Sequence, residues 1–152
     1  MEQLKYIHAV YDLAKEKGYI QDATFTGMKH RMEQENMQRS EKVARGEAVY
    51  GLKEYTLDLY QEYELSMIEE AYILDETNEG MGLTEEEIEA YYNTRDWIVG
   101  EDARKADLSE ARAAVIDEMR RNRYQELTEQ KAAVAEVDGD MDQLSQFTLK
   151  QL

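Results

Sequence analysis

The sequence contains no cysteine and no proline, and each absence excludes something specific. Without cysteine the chain has no disulfides, no thiolate metal ligands and no cysteine nucleophile. Without proline, no helix is interrupted by a residue that lacks a backbone N–H and clashes with the preceding turn. Histidine is scarce as well, with two in 152 residues. The chain is therefore suited to long helices and poorly supplied with the side chains of common catalytic centres.

Long apolar runs are also missing. No stretch approaches the roughly 18 apolar residues of a membrane span, and no secretory leader opens the sequence, so an exported form would be a mature fragment. Charge of one sign, in contrast, is abundant: 34 acidic side chains against 18 basic ones give a net charge of −16. Such a chain repels phosphate backbones and anionic lipid surfaces. We expect no nucleic-acid partner and no direct membrane insertion.

Five segments carry apolar residues at the three- and four-residue spacing of an amphipathic helix. They cover residues 2–17, 24–47, 56–75, 84–95 and 110–136, and either Thr24 or Thr26 can open the second of them. Gly18 stands where a left-handed helix end is expected. Thr84 and the glutamates that follow it form a capping-box pattern, and Ser109 is placed to cap the longest helix. These end signals agree with the five periodic segments.

The connections between the helices complete the predicted fold. Residues 46–53 contain two glycines and no helical period, and they predict a connector with a short extended piece at Ala48–Tyr50. Residues 96–108 are expected to form an irregular link. The sequence therefore predicts an all-α domain of five helices over residues 1–137, in which the long C-terminal helix packs back on the N-terminal helices. A polar tail is expected over residues 138–152.

The side chains that could carry catalysis or bind a metal do not form a known pattern. Helical di-iron proteins need Glu-x-x-His pairs, but the residues three before His8 and His30 are Lys5 and Gly27. The serines show no nucleophile elbow or oxyanion loop, and the glycines match no phosphate-binding motif. We expect no catalytic residue, no metal and no cofactor, and an enzymatic function is the least favoured.

The acidic stretch after the last predicted helix resembles the opening of an EF-hand loop. Asp138, Asp140 and Asp142 alternate as the first calcium ligands of such a loop do. The loop also needs glycine at its sixth position and a bidentate glutamate at its twelfth. Gln143 and Leu149 occupy those positions. A solvated acidic turn is therefore favoured over a calcium site.

The aromatic residues are mostly tyrosine: 11 tyrosines accompany one tryptophan and two phenylalanines. Tyrosine combines an apolar face with a polar tip, and it is enriched at protein interfaces together with tryptophan. Six aromatic residues fall around the third and fourth predicted helices: Tyr55, Tyr60, Tyr63, Tyr91, Tyr92 and Trp97. They predict either core edges whose hydroxyls reach water or a partner-binding groove.

Asn36 and Arg39 lie three residues apart on one face of the second predicted helix. Buried polar groups need hydrogen-bond partners. The pair is therefore expected to have a structural role, in a polar network that fixes the order of the helices or holds the glycine-containing connector.

The order of five short motifs resembles a known family. The motifs are LAKEKGYIQDATF, MEQENMQR, EAVYGLKEYTLDLY, LTEEEIEAYYNTRD and LSEARAAVIDEMRRNRYQELTEQKAAVAEVD. Their order resembles the helical chaperone lobe of SurA/PrsA-like foldases, which are parvulin-type peptidyl-prolyl isomerases exported by bacteria. In that family the isomerase domain lies between the fourth and fifth helices. Here that interval is only residues 96–108, so the resemblance implies the chaperone lobe without its catalytic domain.

The resemblance implies a non-catalytic holdase at the extracytoplasmic face of a bacterial membrane. Such a module would bind unfolded or extended polypeptide segments reversibly, in a tyrosine-lined groove. The alternative is a structural or adaptor domain of the same fold that docks one specific protein partner. An exposed apolar patch fits both functions, whereas converging carboxylates of perturbed pKa would favour an enzyme.

Overall fold

The computed structural model describes residues 2–135, which are mostly helical, and the predicted all-α class with a long last helix is confirmed. The helices of this part of the chain are α1 (Glu2–Glu16), α2 (Phe25–Ala44), α3 (Leu57–Leu74), α4 (Glu85–Tyr92) and α5 (Leu108–Val134). Within the same residues, no helix has both the length and the apolar character needed to cross a bilayer. The predicted boundary at 137/138 and the acidic turn at 138–142 lie outside the described residues, and the single domain over residues 1–137 stays a prediction.

Local signals set most of the helix ends. After α1, Gly18 adopts φ +76°, the left-handed conformation that favours glycine. The Thr24 hydroxyl accepts a hydrogen bond from the Gly27 N–H and so caps α2. At α4 the capping box is complete, because the Thr84 hydroxyl accepts from the Glu87 N–H while the Glu87 carboxylate accepts from the Thr84 N–H. Each of these caps satisfies backbone donors or acceptors that a helix end leaves free.

The predicted cap of α5 was wrong by two residues. The Asp107 carboxylate accepts from the Glu110 N–H at 2.9 Å, and the Glu110 carboxylate accepts from the Asp107 N–H at 3.1 Å. This reciprocal arrangement is a capping box, so Asp107 starts the helix and Ser109 lies in its first turn. Aspartate and serine are both good caps, and the position of the glutamate three residues later decides between them.

The connections differ from the prediction in two places. Residues 96–108, predicted as an irregular link, contain an antiparallel pair, β1 (Ile98–Val99) and β2 (Arg104–Lys105). Two-residue strands are too short for alternation to be read from the sequence. The extended piece predicted at Ala48–Tyr50 is not a strand. That connector is held by side chains of α2, as described below, and not by a pairing partner.

The described chain divides into two compact units. Unit 1 comprises residues 2–68 and 128–135, and unit 2 comprises residues 69–127. In unit 1 the last turns of α5 return to α1: the ammonium group of Lys131 lies 3.5 Å from the Glu16 carboxylate. Its core contains Ile7, Val10, Tyr11, Ala14, Ile20, Met28, Tyr60 and Ile68. Unit 2 has a core of its own, which contains Ile88, Trp97, Ala106, Ala111, Val115 and Met119.

Candidate protein-docking surface

An ion pair between the partly buried Arg31 and the buried Glu64 joins α2 to α3 at the edge of the unit 1 core. The Arg31 guanidinium donates to both Glu64 carboxylate oxygens, at 2.7 and 2.8 Å, and the Tyr60 hydroxyl donates to the same carboxylate at 3.0 Å. Glu64 and Tyr60 are both buried. Burial and the neighbouring Glu64 charge raise the pKa of Tyr60 above its ordinary value. Because the buried Glu64 carboxylate needs a charged partner, this contact fixes the position of α2 at its N-terminal half.

Beyond this point α2 has almost no core contacts. Its buried residues are Gly27 and Met28, both in the first turn. From residue 33 to residue 56 no residue is buried. We call this segment the arm: it comprises the C-terminal part of α2, the glycine-containing connector and the residues that lead into α3. An ordered segment without buried side chains must be held by other interactions.

Hydrogen bonds from α2 hold the arm together. The Asn36 side chain forms two bonds with the Tyr55 backbone: its amide donates to the carbonyl at 3.0 Å, and its oxygen accepts from the N–H at 2.7 Å. The Arg39 guanidinium donates to the carbonyls of Tyr50 and Leu52, at 2.8 and 2.7 Å. Gly51, between those two residues, has φ +79°. These four hydrogen bonds fix the backbone at Tyr50, Leu52 and Tyr55 from the side of α2.

Two further contacts orient Arg39 itself. Its Nε donates to the Glu35 carboxylate at 2.8 Å, and its guanidinium lies 4.9 Å from the centre of the Tyr55 ring. A guanidinium in this position over an aromatic ring is attracted by the ring quadrupole. The Asn36 and Arg39 side chains therefore form the polar network that holds the connector.

The arm exposes large apolar side chains on this fixed backbone. Tyr50 is 88% exposed and Met37 is 58% exposed, and Val43 and Leu52 are each 43% exposed. Scattered apolar residues are normal on a protein surface. Here four of them belong to a 24-residue segment that has no core of its own. We therefore take the arm as the candidate docking surface.

The six predicted partner-binding residues fall into two groups, one in each unit. In unit 1 the rings of Tyr55, Tyr60 and Tyr63 lie 5.1 to 5.9 Å apart and pack at the edge of the core. In unit 2 Tyr91 lies 6.2 Å from Trp97, whose ring is buried. Rings in such positions already contact their own unit. A partner-binding role for the six residues stays a prediction.

The polar groups of Tyr91, Tyr92 and Trp97 form hydrogen bonds within unit 2. The Tyr92 hydroxyl donates to the Ala106 carbonyl at 2.6 Å, and the Trp97 indole N–H donates to the Tyr92 carbonyl at 3.1 Å. The Tyr91 hydroxyl donates to the Glu118 carboxylate at 2.8 Å, and this bond lowers the pKa of Glu118. These bonds join the segment of the β1–β2 pair to α4, and α4 to α5.

The exposure of Tyr50 is not predicted by the sequence, which indicates only an extended piece of the connector at Ala48–Tyr50. The available signal is an aromatic residue next to Gly51 in a connector, four residues after Gly46. That signal indicates a turn, whereas the exposure of the ring depends on how Arg39 holds the backbone.

The polar side chains do not converge on a metal site in the described part of the chain. No group of three or more histidine, aspartate or glutamate side chains there could hold an ion. His8 lies beside Asp12 on α1, at 3.2 Å, and His30 is exposed.

Comparisons with known proteins give one curated relative and one solved fold. No family model matches the chain. The chain is 35% identical over 153 aligned residues to a chaperone for lacto-N-biosidase from Bifidobacterium longum subsp. longum; the alignment covers all of this chain and 55% of that protein. The chain thus spans about half the length of this relative.

The solved structures are those of a GH136 lacto-N-biosidase from Eubacterium ramulus. The native protein and its selenomethionine derivative match with TM-scores of 0.70 and 0.72, at 19% identity. Each match covers 87% of this chain and 28% of that chain. At this identity the likeness establishes a shared fold.

The resemblance to SurA/PrsA-like foldases was wrong. The relatives found are a lacto-N-biosidase chaperone and part of a glycosidase chain, and none is a parvulin-type isomerase. The motifs behind the resemblance have local physical causes: the Thr84 start is a capping box, and Asn36 with Arg39 holds a connector. Any helical domain with short connections needs such features, so their order does not define a family. The relation to peptidyl-prolyl isomerases, which the resemblance implied, was therefore wrong as well.

Proposed function

We propose that this chain is a dedicated, non-catalytic chaperone that docks on one glycoside hydrolase of the lacto-N-biosidase type. The observation that carries the proposal is the 35% identity to a lacto-N-biosidase chaperone, which extends over the entire chain. Because that alignment covers 55% of the relative, the proposal concerns the recognition of the enzyme by this part of the fold.

The fold likeness supports a single protein partner. In Eubacterium ramulus this fold occupies 28% of a chain whose description is a lacto-N-biosidase. Placing a helper domain on the same chain as its client raises its effective concentration without any new contact. The same fold on a separate chain would have to bind the enzyme by surface complementarity. A separate chain with this fold is therefore better suited to dock on one enzyme than to bind many unfolded segments.

The surface of unit 1 also favours docking over a general holdase. Promiscuous binders use flexible, methionine-rich or loop-rich surfaces that repack around each client. Here Asn36 and Arg39 make four hydrogen bonds to the backbone of Tyr50, Leu52 and Tyr55, which hold the exposed connector in place. A preorganised surface loses little entropy when it binds one shape and adapts poorly to others. The extracytoplasmic location expected above was implied by the resemblance alone, and it stays a prediction.

The test is co-expression with the lacto-N-biosidase-type enzyme of the source organism. We expect soluble, active enzyme to increase several-fold when this chain is present, and the two proteins to coelute in size-exclusion chromatography. The control client is a glycoside hydrolase of another family, which should gain nothing. Equal rescue of both clients would indicate a general holdase. No gain for the lacto-N-biosidase-type enzyme would refute the proposed function.

A further inference from the structure

We propose that the arm, residues 33–56, is the docking element of this protein, and that Tyr50 is its anchoring side chain. The occupant to which we commit is an apolar pocket on the folded glycoside hydrolase. The identity of that partner rests on the proposed function; the location of the surface rests on the geometry of unit 1.

The arm is ordered although no residue in it is fully buried, and Tyr55 is its one ring that packs at the edge of the core. Folded segments are normally held by the apolar surface that they remove from water. Across residues 33–56 that contribution is small, because no side chain is buried. The order comes from Asn36 and Arg39, whose hydrogen bonds go to the backbone and do not involve the side chains of Tyr50 and Leu52. Such an element is built to present its side chains.

The position of Tyr50 within this element also supports the proposal. Its carbonyl accepts from Arg39 at 2.8 Å, while its side chain is 88% exposed. The backbone is therefore fixed and the ring projects into solvent. Tyrosine is enriched among the residues that dominate binding energy, since it brings a large amphipathic ring with few rotatable bonds. Fixing its backbone in advance lowers the entropic cost of association.

The net charge of the arm differs from that of unit 2, and this difference bears on which partner the arm can bind. The arm carries five acidic and four basic side chains, a net charge of −1, whereas unit 2 carries 17 acidic and seven basic side chains, a net charge of −10. Two of the arm's cations pair inside it, Arg39 with Glu35 and Arg45 with Glu47. A surface of low net charge meets less electrostatic repulsion from another protein than a strongly acidic one does. The arm is therefore better suited than unit 2 to dock on a second folded protein, where an apolar pocket would receive the exposed Tyr50 ring.

A second copy of this chain is a poorer occupant. Two copies would each bring a net charge of −16, and like net charges oppose association once the two surfaces approach within about a Debye length. A different protein with a less acidic surface does not meet that repulsion. Self-association therefore becomes an outcome of the test, and the glycoside hydrolase remains the occupant.

The test compares three chains for binding to the purified lacto-N-biosidase-type enzyme by isothermal titration calorimetry: wild type, Tyr50→Ala and Leu74→Ala. Leu74 is the matched control, an exposed apolar residue of unit 2. We expect Tyr50→Ala to raise Kd about 30-fold or more, as the loss of an anchoring residue does. Leu74→Ala should change Kd by less than about threefold. Thermal unfolding of the free chains should be unchanged by Tyr50→Ala, since its ring contacts solvent.

Each result has one meaning. If the wild type binds and Tyr50→Ala binds equally well, the arm is not the docking element, while the proposed function stands. If the wild type neither binds nor rescues the enzyme, both proposals fail. Analytical ultracentrifugation of the chain alone tests whether a second copy binds the arm. A dimer that dissociates in the Tyr50→Ala variant would assign the arm to self-association and overturn the inference.

Discussion

Two glycine-containing connectors in this protein are held by arginine side chains in the same way, but they place their apolar residues in opposite environments. In unit 1 Arg39 donates to the carbonyls of Tyr50 and Leu52. In unit 2 Arg120 donates to the Met81 carbonyl at 3.0 Å, and Arg123 donates to the Gly80 carbonyl at 3.1 Å. A long helix supplies the arginines in both cases.

The difference lies in what the fixed backbone does with its side chains. Met81 is completely buried, and Asn78 in the same connector is also buried. Tyr50 is almost fully exposed. The unit 2 connector therefore closes a core, whereas the unit 1 connector presents a ring. An arginine that donates to connector carbonyls can hold either kind of connector. The burial of the connector's apolar residue therefore distinguishes a connector that completes a core from one that serves as a docking element.

The largest expected effect separates the two apolar residues. Met81→Ala should lower the free energy of unfolding by about 2 to 5 kcal/mol, because it removes a fully buried side chain and leaves a cavity. Tyr50→Ala should change it by no more than about 0.5 kcal/mol, as is usual for an exposed site. Urea unfolding followed by circular dichroism measures both. Equal losses would show that Tyr50 is part of the fold and would remove the contrast.

The second largest effect distinguishes the arginine that holds the unit 2 connector from the arginine that holds the unit 1 connector. A hydrogen bond from a charged donor contributes about 1.5 to 3 kcal/mol, and Arg123 also donates to Glu87 at 2.9 Å. Arg123→Met should lower the free energy of unfolding by about 1 to 3 kcal/mol. Arg39→Met should act locally, because the arm supports no core: amide hydrogen exchange should accelerate over residues 46–55, with a smaller change in global stability.

The control for this pair is Arg45→Met, which removes an exposed arginine that pairs with Glu47 in the same arm. It should leave exchange over residues 50–55 unchanged, since exposed ion pairs contribute little. Unchanged exchange in Arg39→Met would contradict the role assigned to Arg39.

The sequence predicts the local features of this comparison and not its outcome. Gly18 and the Thr84 box are determined by residues within one turn, and both were predicted correctly. The network of Asn36 and Arg39 was anticipated because polar residues on a helix face need partners. Whether Tyr50 is exposed depends on contacts between distant segments, and no local pattern contains that information.

Two other differences have the same kind of cause. The Arg31–Glu64 pair, 33 residues apart in the chain, could not be selected from so many acidic side chains. The β1–β2 pair was missed because its strands have two residues each. The aromatic residues are mostly tyrosine, but sequence spacing cannot distinguish a ring that faces a core from one that faces a partner. Tyr60 and Trp97 face the cores.

The smallest expected effect is the pH dependence of unit 2. Hydrogen bonds from the Tyr91 hydroxyl and the Arg95 guanidinium lower the pKa of Glu118. In the unfolded chain the pKa returns to about 4.3. Near that pH the unfolded state binds more protons than the folded state, so stability falls as the pH decreases. The contribution of Glu118 is complete above pH 5 and is lost as the pH falls through its lowered pKa.

The comparison between the units tests this sign. Tyr91→Phe removes the main cause of the lowered pKa, so its free energy of unfolding should fall less steeply than that of the wild type between about pH 5 and 3. Tyr50→Phe, which removes a hydroxyl from the exposed arm, should keep the wild-type slope. Protonation also relieves the self-repulsion of a chain with net charge −16, and this opposing effect is common to all three chains. The difference in slope between the variants therefore isolates the Tyr91–Glu118 bond, and identical slopes for Tyr91→Phe and the wild type would show that the bond does not lower the pKa of Glu118 in solution.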